Sequence, residues 1–365
     1  MVYCRLRVGK PFLRFLCKKL LVFIGILIVS GTILFIVPRL MPSNPVEMMI
    51  TKVLGGSASG GSMGTGGSGS GGGVTQGSMV EVLRRVYTEK FGLGQSLEVQ
   101  FILFWKRVLT FDFGISYSYY PARVNDIIAR ALPWTLALVI PVPIIGFFMG
   151  NRLGSMAALK KGKIATLAYY ATVYLSIMPY YWFGMTLIYV FGVMLRWFPL
   201  SGAYSRIWMK PQWNNLNFIL DVLHHYALPF LSLVAQGIGG WALGMRASVA
   251  SQVRSTYPLY MRSIGFSFKK IRERVERNAI LPNFTWLPMS FSGLVGQTLL
   301  VETVFGYPGI GSLMYDAAFS LDYPMLEATF LITMLIVLVG NLICDIIYGL
   351  LDPRIGSRYV SEESQ

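Results

Sequence analysis

Residues 257–282, with the sequence YPLYMRSIGFSFKKIRERVERNAILP, form a charged stretch between two long uncharged apolar runs. A segment so rich in charge does not lie in lipid, so it forms a loop between membrane spans. Its apolar residues recur at steps of three and four, as in a helix with one apolar face: Met261, Ile264, Phe268, Ile271 and Val275. The same stretch carries six basic residues: Arg262, Lys269, Lys270, Arg272, Arg274 and Arg277. The pattern predicts a helical loop that docks onto another protein or the membrane surface; a basic loop that only fixes topology is the simpler alternative.

The composition is that of a membrane protein. Hydrophobic residues make up 54% of the 365 residues and charged residues only 13%, whereas soluble domains carry about 25% charged residues. A helix that crosses a membrane needs roughly 20 apolar residues, and six uncharged runs approach or exceed that length: 20–38, 131–151, 164–195, 222–245, 278–301 and 328–344. We therefore predict an all-α membrane protein with six transmembrane helices. Pro179 near the middle of the run 164–195 predicts a single helix that is kinked or tilted.

The basic residues predict the orientation. An excess of basic residues marks four segments: the N-terminal tail, the loop 152–163, the loop 246–277 and, more weakly, the tail after residue 351. Together they carry the entire net charge of +15, and with six spans they all fall on one side of the membrane. By the positive-inside rule, both termini and the loop 246–277 are cytoplasmic. Attraction to anionic lipid accounts for the positive charge, so no nucleic-acid partner is predicted.

The predicted organisation has four parts. Residues 1–40 form a cytoplasmic tail and the first span; residues 41–130 form an external subdomain; residues 131–352 form a five-helix core that contains the loop 246–277; residues 353–365 form a cytoplasmic tail. Within the external subdomain, residues 55–78 are nearly all Gly and Ser without charge. Such a tract has too few apolar residues to bury a core, which predicts disorder.

Several short strings carry a family resemblance. Residues 277–282 (RNAILP), with Gly265 upstream, resemble the cytoplasmic coupling loop of ABC importer permeases. Residues 301–324 (VETVFGYPGIGSLMYDAAFSLDYP) and 350–354 (LLDPR) resemble the dipeptide/oligopeptide branch of that family, and shorter matches lie at 91–93, 111–114, 132–136, 200–202 and 225–229. Two positions depart from the family pattern. Residues 259–261 read LYM instead of EAA, and the interval from Gly265 to Pro282 is one residue shorter than expected.

The resemblance implies a permease fold with cytoplasmic coupling helices, in the plasma membrane. Its partners would be a second homologous permease chain, two ABC ATPases, an external solute-binding protein and the lipid bilayer. The sequence contains no G-x-x-x-x-G-K-[ST] motif, so ATP and Mg²⁺ would bind to the partner ATPases. The chain itself would hold no cofactor or metal and would not be an enzyme.

The resemblance also places three groups of site residues. The ATPase-coupling loop would comprise Tyr257, Met261, Arg262, Ile264, Gly265, Ser267, Phe268, Asn278, Leu281 and Pro282. Gly265 would allow a sharp turn, and Ser267 would cap the next helix. Tyr181 and Trp182 would line the translocation path, although aromatic packing at a kink is the alternative reading. Glu302, Tyr307, Gly309 and Asp316 would form an external gate or a contact with the binding protein.

Two further interpretations follow from the residues. Asn341, Asp345, Tyr348 and Asp352 share one face of the last helix, where we expect a structural hydrogen bond or an arginine pair and not a proton relay. Two other classes of function remain as alternatives: a secondary transporter, and an intramembrane enzyme that works without ATPases. Within the importer reading, the cargo is either an oligopeptide or an oligosaccharide.

Overall fold

In the computed structural model of the chain, residues 10–40, 46–47, 50, 80–82, 84–86, 94–159 and 162–351 are described, with side chains from 19 to 347 within these ranges. This part of the chain is helical and contains no β-strand, and one isolated antiparallel bridge joins Ile115 to Arg123. The predicted disordered tract 55–78, the string 91–93 and the tail 353–365 lie outside the described residues.

The described helices follow one another with short connections. They are α1 (Lys10–Arg39), α2 (Leu97–Thr110), α3 (Val124–Val139), α4 (Pro141–Ala158), α5 (Lys163–Ile177), α6 (Tyr180–Leu187), a π-helix (Ile188–Met194), α7 (Leu216–Val253), α8 (Thr256–Ser263), α9 (Phe268–Thr285), α10 (Leu287–Val304), α11 (Ile310–Ser320) and α12 (Tyr323–Leu351).

Four stretches are long and apolar enough to cross a membrane: Lys19–Arg39, Val124–Ala158, Leu216–Val253 and Tyr323–Ile347. They contain four of the six predicted spans. Helices α5 and α6 with the π-helix give a fifth if the bent pair is one span. The sixth prediction, 278–301, falls on the end of α9 and on α10, which are separated at Trp286. The count of six is therefore not confirmed and stays a prediction.

The run 164–195 is not the single kinked helix that we predicted. Helix α5 ends at Ile177 and α6 begins at Tyr180, with their axes bent by 109°. Met178 at the break is extended, with φ −71° and ψ 141°, as expected for a residue that precedes proline. The side-chain amide of Gln236 in α7 donates a hydrogen bond to the carbonyl of Met178. The sequence located the break correctly at Pro179 but underestimated its angle.

The described residues divide into two compact units. The first contains α1 as far as Ile24, residues Leu132–Ser312, and α12 from Thr333 onward. Its centre is the pair α4–α7, where a Cβ added to Gly150 would lie 2.6 Å from the Ile238 carbonyl oxygen, and one added to Gly154 would lie 3.0 Å from Ala242 Cα. Small residues four apart allow two helix backbones this close contact. The spacing of Gly146, Gly150 and Gly154 is thus what seats α4 against α7.

The second unit contains the described part of Gly25–Ala131 together with Leu313–Ile332. In it Phe35 of α1 packs against Phe101 and Phe104 of α2, with ring centroids 5.1 and 5.5 Å apart. At the end of α1, Arg39 pairs with the buried Glu327 at 2.8 Å. The Asp322 carboxylate accepts hydrogen bonds from the amides of Ser118 and Met325, at 2.9 and 3.2 Å, and so fixes the start of α12.

Candidate functional site

The charged stretch that opened the sequence analysis forms two helices joined by a tight turn. Helix α8 ends at Ser263, and Gly265 has a φ of +84°, in the left-handed region that favours glycine. The turn is closed by hydrogen bonds from Gly265 N to Arg262 O (3.1 Å) and from Phe266 N to Met261 O (3.0 Å). The predicted turn at Gly265 is therefore present.

Ser267 occupies the N-cap position of α9, as predicted, in an extended conformation. Its side chain, however, makes no capping hydrogen bond. Only its backbone carbonyl is used, accepting from the amide of Ile271 at 3.1 Å. The prediction located the start of the helix but was wrong about the hydroxyl.

The predicted apolar stripe is split by the turn. Ile271 and Val275 are buried and pack with Ala279 against Met245 and Val249 of α7. Met261 is half-buried against the same cluster, whereas Ile264 and Phe268 are exposed. The prediction of one continuous docking face was wrong, because the left-handed residue Gly265 breaks the helical periodicity between Met261 and Phe268.

The residues around the turn leave an exposed apolar surface. We call it the turn surface; it consists of Leu259, Tyr260, Ile264, Phe266 and Phe268, with exposed fractions of 67, 66, 52, 43 and 79%. Three exposed basic residues lie beside it in the sequence: Arg262, Lys269 and Lys270. Large apolar side chains grouped in this way mark interaction sites. Tyr257 is half-buried beneath, and its hydroxyl has no hydrogen-bond partner in the described residues.

Three of the predicted coupling residues do not lie at the turn. Asn278, Leu281 and Pro282 are exposed but belong to the second half of α9. At 1.5 Å per residue, Leu281 lies about 20 Å along the helix axis from Phe268. The RNAILP string therefore marks the body of the helix and not the turn surface.

A second constellation surrounds the carboxylate of Glu302, at the end of α10. Glu302 is fully buried. It accepts hydrogen bonds from Thr135 Oγ1 (2.7 Å) and from the amides of Gly311 (2.7 Å) and Ser312 (3.3 Å). Thr135 Oγ1 accepts in turn from the amide of Ile310 at 2.7 Å. The first amides of α11, which helix geometry leaves without partners, are thus bound by one side chain of α3 and one of α10.

The glycines of residues 306–311 (GYPGIG) make room for this carboxylate. A Cβ added to Gly309 would overlap the Glu302 carboxyl group, and one added to Gly311 would lie 2.5 Å from Leu299 Cα. Sequence reasoning assigned these glycines to turns and missed Thr135, which lies 167 residues from Glu302. No local spacing connects the two.

Comparison with known proteins gives the family. Residues 150–357, more than half of the chain, match the family described as "Binding-protein-dependent transport system inner membrane component". The chain belongs to this family. It is 31% identical to the "Oligopeptide transport system permease protein AppB" of Bacillus subtilis, over 74% of this chain and 84% of that protein. It is 28% identical to OppB, another oligopeptide transport system permease, of Haemophilus influenzae, over 73% and 83% of the two chains.

A third relative is similar along almost its whole length. The "Glutathione transport system permease protein GsiC" of Salmonella choleraesuis is 28% identical over 94% of this chain and 99% of that protein. The chain is therefore a multi-pass permease component of the inner membrane, it works with other transporter subunits, and it is a transport protein and not an enzyme.

The remaining predicted site residues of the permease occupy different environments. Tyr181 and Trp182 are 39% and 51% exposed in α6, directly after the break at Pro179. Tyr307 and Gly309 are buried beside Glu302, and Asp316 is exposed on α11. Burial, and then the nearby Asp316 carboxylate, raise the pKa of Tyr119 above its ordinary value. Of the four predicted external residues, only Asp316 offers a side chain to a partner in this conformation.

The polar face of α12 has structural partners in the permease. Asn341 exchanges hydrogen bonds with Ser292 of α10 at 2.9 and 3.1 Å, and Asp345 pairs with Lys19 at 2.8 Å. The expected structural role is confirmed for these two residues, with lysine in place of arginine. Asp352 lies outside the described residues. Within the described ranges, no group of three or more His, Cys, Asp or Glu residues is placed to hold a metal ion.

Proposed function

We propose that this permease is one of two related membrane subunits of an ATP-driven importer of peptides that receives its cargo from an external binding protein. The three relatives described above are named for oligopeptide or glutathione transport. These names favour peptides over oligosaccharides, and they favour an importer over a secondary transporter or an intramembrane enzyme. The second permease, two ATPases and the binding protein complete the proposed assembly.

The proposed topology has six spans, with both termini and the turn surface in the cytoplasm. Helix α10, together with the end of α9, would form the sixth crossing despite the break at Trp286. The concentration of basic residues in the N-terminal tail and in the loops 152–163 and 246–277 supports this orientation.

The turn surface is the observation that carries the proposal. Five large apolar side chains are exposed on a basic segment, and burying them is favourable only against a partner. In an importer that partner is an ATPase, which would bind ATP and Mg²⁺ while this chain holds neither. The basic residues Arg262, Lys269 and Lys270 would then face acidic groups around the ATPase groove.

The translocation path and the external contact are proposed with less of the chain. Tyr181 and Trp182 would line the path, since both are exposed beside the break between α5 and α6. Asp316 would contact the binding protein, because its side chain is exposed on α11. Glu302, Tyr307 and Gly309 would act behind it by fixing the start of α11.

Affinity purification of the tagged chain in mild detergent tests the assembly. We expect a second permease and ATPases with phosphate-binding loops to co-purify. The double variant Ile264→Asp/Phe268→Asp should lose the ATPases and keep the second permease, whereas Ile207→Asp, at a side chain 87% exposed elsewhere in the chain, should keep both. Wild-type chain recovered without any ATPase, under conditions that preserve other transporters, would contradict the proposal.

A further inference from the structure

A ladder of polar contacts joins α9, the helix that follows the turn, to α4. Ser155 Oγ donates a hydrogen bond to Glu276 Oε1 at 2.8 Å, and Arg272 Nε donates to the same oxygen at 2.9 Å. One level further along α9, Asn283 Nδ2 donates to Asn151 Oδ1 at 2.6 Å. The rungs are four residues apart on α4 and seven on α9, so each set lies on one helix face.

The second rung is almost entirely enclosed. Asn151 and Asn283 are 4% and 5% exposed, and Asn151 Nδ2 donates to the Phe147 carbonyl at 2.8 Å. A Cβ added to Gly244 of α7 would lie 2.9 Å from Asn283 Oδ1. The absence of a side chain at Gly244 therefore provides the space in which the asparagine lies.

An aromatic contact accompanies the asparagine pair. Phe147 of α4 meets Phe284 of α9 edge to face at 5.7 Å, and it meets Trp241 of α7 at 5.2 Å. Helices α4, α7 and α9 therefore meet at one level through both polar and aromatic side chains. Helices α4 and α7 are already joined backbone to backbone through Gly150 and Gly154.

We propose that Asn151 and Asn283, supported by Ser155 and Glu276, are positioning residues that transmit movement of the turn surface to the pair α4–α7. The inference rests on the proposed function, because it assumes that ATPases move the turn. Apolar contacts alone allow a helix to slide or rotate in a membrane, since lipid and side chains attract it about equally. Two polar rungs at different levels fix both the register and the rotation of α9 against α4.

The test is the number of ATP molecules hydrolysed per peptide imported by the assembled transporter in proteoliposomes. Leucine is close to asparagine in size and cannot form the hydrogen bond, so Asn283→Leu and Asn151→Leu remove the enclosed rung. We expect ATP hydrolysis stimulated by the binding protein to remain near wild type and import to fall, raising the ratio about threefold to tenfold.

Asn341→Leu is the matched control, because it removes the Asn341–Ser292 hydrogen bonds between α10 and α12. It should leave the ratio at the wild-type value. A normal ratio in Asn283→Leu, or an equal rise in Asn341→Leu, would overturn the joint.

If the leucine variants do not assemble, Ser155→Ala and Glu276→Gln weaken only the half-exposed rung. Each should still raise the ratio about twofold, and an unchanged ratio in both assembled variants would refute the inference. Import by the wild-type complex in the same experiment establishes the proposed function independently. A wild-type complex that imports nothing with ATP would instead overturn the function and the joint together.

Discussion

At the scale of single residues, Glu302 illustrates the difference between a pattern and its environment. Sequence reasoning placed this carboxylate in an exposed loop, because it lies next to the glycine-rich residues 306–311. The structure places it in the interior, where it binds the first amides of α11 together with Thr135. Acidity and loop composition predict exposure in general. Burial of a particular carboxylate depends on donors that only the folded chain brings near.

Thr135→Val tests this environment. Valine has nearly the shape of threonine but leaves Glu302 without one donor and the amide of Ile310 without its acceptor. Burying unpaired polar groups should cost about 1–3 kcal/mol of stability, seen as a lower midpoint of thermal unfolding in detergent. Thr186→Val is the control, since the exposed Thr186 bonds only to the carbonyl of Trp182 in its own helix. Equal midpoints for both variants would contradict the role given to Thr135.

At the scale of elements, the helices were largely predictable and their breaks were not. Long apolar runs predicted α1, α7 and α12, because a span needs continuous hydrophobicity whatever surrounds it. Pro179 and Gly265 correctly located two breaks, since both residues restrict the backbone locally. The 109° bend at Pro179 could not be predicted. It depends on the contact of Gln236 with Met178, between residues far apart in the sequence.

Gly265→Val tests the turn as a mechanical element. No atom lies within 4 Å of the Cβ that valine would add, but its φ of +84° is strained for a β-branched residue. We expect ATP hydrolysis to continue while peptide import falls, because the turn surface is reoriented and not removed. Gly265→Asn should behave nearly as wild type, since asparagine tolerates this conformation. Normal coupling in Gly265→Val would show that the turn geometry is unimportant.

At the scale of the whole molecule, topology is the prediction that the described helices leave open. The sixth span decides on which side Asp316 lies. With Cys4, Cys17 and Cys344 replaced, single cysteines at Met209, Ser263 and Asp316 can be labelled with a membrane-impermeant maleimide. Six spans predict labelling of positions 209 and 316 in intact cells, and of position 263 only after permeabilisation. Labelling of 316 together with 263 would instead mean that residues 278–301 do not cross the membrane.

The family also follows from features distributed along the chain. Single strings such as the Leu281-Pro282 pair are too short to be specific, but the order of many such strings indicated the dipeptide/oligopeptide permeases. The match over residues 150–357 and the relatives at 28–31% identity confirm the family. The contacts that hold the site together were not predictable, since Thr135 with Glu302 and Asn151 with Asn283 are more than 100 residues apart.

The most direct test of the central claim is peptide import by proteoliposomes that contain this permease, its second permease and the ATPases. Labelled peptides and the binding protein are added outside, and ATP is enclosed inside. The account predicts peptide accumulation that requires both hydrolysable ATP and the binding protein. Accumulation driven by a proton gradient without ATP, or by this chain alone, would contradict it.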